Sequence, residues 1–262
     1  MYDNESFLHN LPARPDDPRV PDQLAFVAIG ESDSVPLDII PHPLAAMAAA
    51  DLQGKLESAH FNHNFGLGEN EGGMVIGKMF GVLVVRAPSR QIGYLAGFSG
   101  KMGNVNHHPG FVPPVFDSLT ENSFLNNGMR ELTRITQQLQ TLMDNGGSHE
   151  EILRLRLQRK QHSHDLQQQL FSRYHFLNSN RDSRSLIELF TAAGYKNPPA
   201  GAGECAGPKL LQYAFLHGLQ PLALTEFWWG RSPKSQQWKH LHYYACCREK
   251  CAPILKHMLQ YR

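Results

Sequence analysis

A chain of 262 residues, 41% of them hydrophobic, is long enough to bury one large core or two modest ones. Its 25 basic side chains are balanced by 24 acidic ones, which excludes a basic polyanion coat and an acidic solvating tail. No apolar run reaches the length that crosses a bilayer, and the opening "MYDNESFLHNLPARPDDPRVP" is acidic and Pro-rich, unlike a secretory leader, so a cytoplasmic protein is the default expectation.

Residues 1–45 hold many prolines and few periodic signals, and are expected to form an extended arm around the rest. "HPLAAMAAADLQGKL" (His42 to Leu56) is Ala-rich with Pro43 suited to a first turn, so a helix is predicted there. "MFGVLVV" (Met79 to Val85) and "QIGYLAGF" (Gln91 to Phe98) read as strands buried on both faces, because apolar and polar residues hardly alternate in them. The short "RAPSR" between them fits a hairpin connection. "HHPGFVPPVFD" (His107 to Asp117) reads as a Pro-punctuated loop.

A helical hairpin is predicted next, at about residues 118–176. Met129, Leu132, Ile135, Leu139 and Leu142 share one helical face. "NGGS" breaks the first helix, and Ser148 with Glu151 is a capping-box signature for the second. That second helix, from about His149 to Phe171, carries Arg154, Arg156, Arg159, Lys160 and Arg173. Beyond it, "SLIELFTAAGY" is a short helix, Cys205 to Gly218 is helical, "PLALTEFWWG" is a strand and "CAPILKHMLQ" is helical. The expected architecture is therefore a single α/β domain over 46–262, with a short central sheet, flanking helices and the hairpin as an insertion.

All four cysteines, Cys205, Cys246, Cys247 and Cys251, lie in the last quarter. Clustered thiols in a reducing compartment point to metal before disulfides. Cys205 opens a helix, where the dipole favours a thiolate, and Cys247 and Cys251 are one helical turn apart. Three soft ligands of this kind suit tetrahedral zinc, with His242, His240 or water as the fourth. The three-residue spacer between Cys247 and Cys251 is wider than the common two. The alternative is four thiols packed as small hydrophobes, the reading preferred for Cys246.

This layout resembles the zinc-dependent nucleobase deaminases. They begin with a strand pair, carry a ligand and a Glu at the start of one helix, and carry a thiol pair at the start of the next. The resemblance implies a cytidine-deaminase-like frame. It departs at Gly207, which stands where the proton-carrying Glu would be, two residues after Cys205. That departure argues for a structural zinc site and against an active deaminase.

Other candidates are weaker. Asn62, His63 and Asn64 in "FNHNFGLGENEGG" either line a binding site or belong to a turn-rich surface, and His107 and His108 read as an exposed loop. From Arg231 onward seven cations face the single acid Glu249, interleaved with Trp228, Trp229, Trp238, Tyr243 and Tyr244. Lys234, Lys239, Arg248, Lys250 and Trp238 are the candidate RNA-binding residues, since cations take phosphates and rings take splayed bases. The competing reading puts the tryptophans in the core and leaves the lysines as a solvated edge.

"GECAGPKLLQYAFLHGLQPLALTEFWWGRSPKS" with "YYACCREKCAPILKHML" resembles the long N-terminal region of some bacterial RluA-type RNA pseudouridine synthases. So do "FNHNFGL", "GKMFGVLVV", "GYLAGFSGK", "FVPPVFD" and "LQQQLFSRYHFLNSNRDSRSLIELF". The resemblance runs from about His60 to the end. It implies an accessory, RNA-associated module that serves a synthase catalytic domain in cis or in trans. The "H-R-L-D" segment carrying that family's catalytic Asp is absent, and "NRDS" around Asp182 does not match it, so no catalytic residue is expected in this chain. The chain ends at "HMLQYR", about where the resemblance would start the catalytic domain. Cys205, Cys247 and Cys251 match the cysteines of the region, with Cys246 an extra.

Overall fold

β-branched and apolar runs that cannot be left in water pair into a sheet here, and two helices cover its two faces. The computed structural model describes residues 7–13, 16–25, 29–30, 38–68, 74–120, 123–234 and 237–260. Much of the expected arm (1–6, 14–15, 26–28 and 31–37), residues 69–73 of the glycine-rich segment and the terminal cation Arg262 lie outside the described residues.

Contacts divide the chain into two compact units, Met1–Val115 with His175–Arg262, and Phe116–Tyr174. The first unit contains a five-stranded sheet. In chain order its strands are β1 (His9–Asn10), β2 (Lys78–Arg86) and β3 (Ile92–Phe98), then, past the two strands of a small separate hairpin, β6 (Gln220–Trp229) and β7 (Tyr243–Tyr244). The separate hairpin is β4 (His175–Leu177) with β5 (Ser183–Ser185). The order across the large sheet is β1-β3-β2-β6-β7, and every neighbouring pair is antiparallel. The β2–β3 connection is as tight as its sequence predicts, with Arg90 at φ 70 and its N–H donating to the Ala87 carbonyl at 2.8 Å.

Helix α1 (Pro43–Ser58) covers one face. Its Ala45, Ala48, Ala49 and Leu52 form one core with Phe80, Val82, Tyr94, Phe98 and Phe227. Helix α5 (Ala206–Leu216) covers the other face, and α6 (Arg248–Met258) packs against α5 and against the short α4 (Leu186–Ala192). Burial on both faces explains why β2 and β3 show so little alternation. Two glycines bring α5 close to the sheet. A Cβ on Gly81 would stand 3.0 Å from the Ala206 Cβ, and one on Gly97 would stand 3.2 Å from Leu210. Gly81 and Gly97 are register partners, so they form one low row beneath the first turns of α5.

The second unit is the helical hairpin, α2 (Phe124–Asp144) and α3 (His149–Phe171). Ser148 accepts from the Glu151 N–H at 3.2 Å, as its spacing predicts. Ile135 and Leu139 are buried, but Met129 is 50% exposed. The close crossing falls instead at Gly128, where a Cβ would meet Leu166 at 2.5 Å. No helix among the described residues is long and apolar enough to cross a membrane.

Candidate metal centre

Two helix starts build the centre. Cys205 is the N-cap of α5 and Cys247 the N-cap of α6. Neither side chain caps its own helix, unlike Ser123, Ser148 and Ser185 at the starts of α2, α3 and α4. Both thiols turn instead toward Cys251, one turn into α6 and fully buried. The Sγ atoms of Cys205 and Cys247 are 4.0 Å apart, and those of Cys247 and Cys251 3.3 Å. Bonds of ~2.3 Å from a tetrahedral ion would set sulfur–sulfur edges of about 3.8 Å, so the observed distances bracket the zinc geometry. Among the described residues this is the one group of three or more Cys, His, Asp or Glu ligand atoms that closes within 4.8 Å.

The electrostatics suit ligation. Hydrogen bonding from Cys205 and then Cys251 holds the Cys247 thiol far below its ordinary range, as a thiolate. The same contact with Cys247 pushes Cys205 up, and contacts with Cys205 and then Cys247 push Cys251 up. A buried cation lies close by. Lys209 donates to the Phe98 and Gly100 carbonyls at 3.0 and 3.1 Å, and its Nζ is 3.7 Å from Glu204. Burial depresses its pKa, against the pull of Glu204 and Cys205. A positive charge here would offset part of the negative charge of three thiolates if they held a divalent ion.

Glu226 is the second buried charge, 4% exposed on β6, with its Oε1 accepting from the Gly207 N–H at 2.7 Å. Burial raises its pKa to about 7, against the Gly207 N–H, which lowers it. Neither Lys209 nor Glu226 was singled out from sequence. The available signal was a lone charge inside an apolar run, "GPKLL" and "LTEFWW".

His242 does not join the thiols. It lies five residues before Cys247 on a stretch that pairs along β6, and its Nδ1 faces Asp38 at 3.5 Å. His240 is likewise committed elsewhere, accepting from the Gly230 N–H at 3.0 Å and packing edge-on to Trp229. Cys246 is buried outside the cluster, with burial raising its pKa.

The remaining candidates divide. His63 bridges two loops, with Nε2 2.7 Å from the Ile76 carbonyl and Nδ1 accepting from the Gly103 N–H at 3.3 Å. Asn64 caps its own turn by accepting from the Gly66 N–H. His108 sits against Phe61 and Phe98 with Nε2 3.0 Å from the Met102 carbonyl. Trp238 stacks on Trp228 and meets Tyr244 edge-on, while Trp229 is buried in the core. Lys234, Lys239 and Arg248 are exposed and Lys250 is half-buried. They lie on the 230–242 segment and on the first turn of α6.

Comparison with protein-family models, with curated proteins and with solved structures finds no match.

Proposed function

We propose that the chain is a zinc-binding module that associates with RNA and serves an RluA-type pseudouridine synthase catalytic domain. The convergence of Cys205, Cys247 and Cys251 from two helix starts carries the metal part of this reading. Zinc held there ties α5 to α6, so metal and fold stabilise each other. The cytidine-deaminase-like frame is supported by layout: β3-β2-β6 side by side, α5 joining β3's side of the chain to β6, and ligands at the N-caps of α5 and α6.

The RNA part rests on the exposed cations Lys234 and Lys239 in the segment that carries Trp238, which stacks on Trp228, and on exposed Arg248 at the start of α6. Phosphate contacts give an affinity that falls steeply with salt, whereas stacking on rings does not. Fluorescence anisotropy with structured RNA tests it. Lys234→Glu with Lys239→Glu should weaken binding by about tenfold or more and reduce the salt slope by about two. Equal affinity in both proteins would remove RNA from the proposal and leave the metal reading standing.

A second reading, a zinc-dependent hydrolase acting on nucleobases or nucleotides, is favoured by one observation: the buried carboxylate of Glu226, held by the Gly207 N–H two residues after Cys205. Turnover of a nucleoside that is abolished in Cys205→Ala would select it.

A further inference from the structure

No other Asp or Glu among the described residues is buried as Glu226 is. The Gly207 N–H and the Cys246 thiol both hydrogen-bond this carboxylate and do not offset its burial, and an apolar β6 could serve the Gly207 amide with a Thr or Asn. The site is nonetheless shaped to hold a carboxylate. Glu226 is the register partner of Gly81, which is the partner of Gly97. That glycine row lets the first turn of α5 settle on the sheet, so the Gly207 N–H reaches the Glu226 carboxylate. A Cβ at position 207 would stand 3.4 Å from the Glu226 Oε1 and 3.2 Å from the Cys246 Sγ. The carboxylate from β6 thus lies in contact with position 207, beside the Cys246 sulfur and two residues after a thiol of the centre.

Glu226 is too far to be a ligand itself. Among the described residues only the three sulfurs close as a set within 4.8 Å of one another, whereas an oxygen and a sulfur on one zinc tetrahedron lie about 3.6 Å apart. It is hydrogen-bonded to Cys246, and its charge is coupled to those of Cys205 and Cys247. Neither His242 nor His240 completes the tetrahedron.

We propose that Glu226 governs the fourth coordination position of the thiol-bound metal, holding water or another small ligand there without binding the metal. The inference rests on the reading that the three thiols hold a metal. It makes the centre an exchangeable one, the form with three protein ligands, in contrast to a closed site with four. The carboxylate favours neutral, proton-donating ligands in that position and disfavours anions.

The test is absorption spectroscopy of the cobalt-loaded full chain, titrated with azide as an anionic probe and imidazole as a neutral one, in wild type and Glu226→Gln. The amide keeps an oxygen for the Gly207 N–H, so α5 stays capped. Imidazole should shift the cobalt bands of both proteins. Above the neutral range, where Glu226 is ionised, the ratio of azide to imidazole affinity should rise by at least about tenfold in Glu226→Gln as a like-charge repulsion is removed. If neither probe shifts the wild-type bands, a protein group closes the fourth position and the proposal fails. If both probes bind with the same affinity ratio in the two proteins, Glu226 only caps α5 and the proposal again fails. Absence of any thiolate-to-cobalt charge-transfer band in the wild type would instead overturn the metal reading beneath it.

Discussion

Gly81→Ala perturbs the centre from a distance. Gly81 lies on β2, touches none of the thiols, and sets how closely α5 approaches the sheet. The added Cβ would meet the Ala206 Cβ at 3.0 Å and the Leu210 Cδ1 at 3.1 Å, where unstrained carbon contacts need about 3.5–4.0 Å. Relief moves the start of α5 outward by roughly 0.5–1 Å. Overpacking of this kind costs about 1–3 kcal/mol, offset by up to ~1 kcal/mol from a stiffer unfolded chain. The net loss is about 1–2 kcal/mol in metal-free protein. Cys205 moves with α5, so an edge already at 4.0 Å lengthens and metal affinity falls as well. Urea unfolding with and without zinc, alongside a competition assay for zinc, measures both effects. Unchanged stability and unchanged affinity together would refute the idea that the glycine row positions the centre.

Further expectations follow from the same geometry. Cys247→Ala should release zinc and lower the melting temperature, while Cys246→Ala should retain metal; calorimetry and metal analysis distinguish them. Because Cys247 is held as a thiolate while Cys205 and Cys251 are held protonated, zinc uptake at neutral pH should release about two protons. Zinc affinity therefore climbs as pH rises and falls as the two thiols hold their protons more firmly in acid. Buffer-dependent calorimetry counts the protons, and three would contradict the thiolate at Cys247. Lys209→Met leaves the Phe98 and Gly100 carbonyls without their buried donor and should cost about 2–3 kcal/mol, read by urea unfolding.

Elements with long periodic or apolar signatures were legible in the sequence. α1 with Pro43 at its first position, the β2–β3 pair, the α2–α3 hairpin and the Ser148 cap all form where their patterns predict. β1, β4, β5 and β7 were not legible, because two or three residues carry no period and their pairing is decided by edges that only the folded sheet offers. α6 begins at Arg248, three residues before the predicted Cys251. Pro253 reads as a first-turn proline, yet the thiol at Cys247 is the true start. For the centre, thiol spacing identified the three cysteines that converge, whereas His242, the fourth candidate, lies against Asp38. Strand pairing at β6–β7 carries that imidazole toward Asp38 and away from the thiols, which proximity in sequence conceals. Glu226 stayed hidden for the converse reason: 21 residues separate it from Cys205 and Cys247 alike, and only the sheet register brings it beneath Gly207.

The most direct measurement is X-ray absorption on the purified, reduced chain together with its zinc content. One zinc per chain with three sulfur neighbours at about 2.3 Å is the predicted result, lost in Cys247→Ala. A metal-free protein whose Cys205 and Cys247 both react freely with thiol reagents, at a stability that added zinc leaves unchanged, would contradict it.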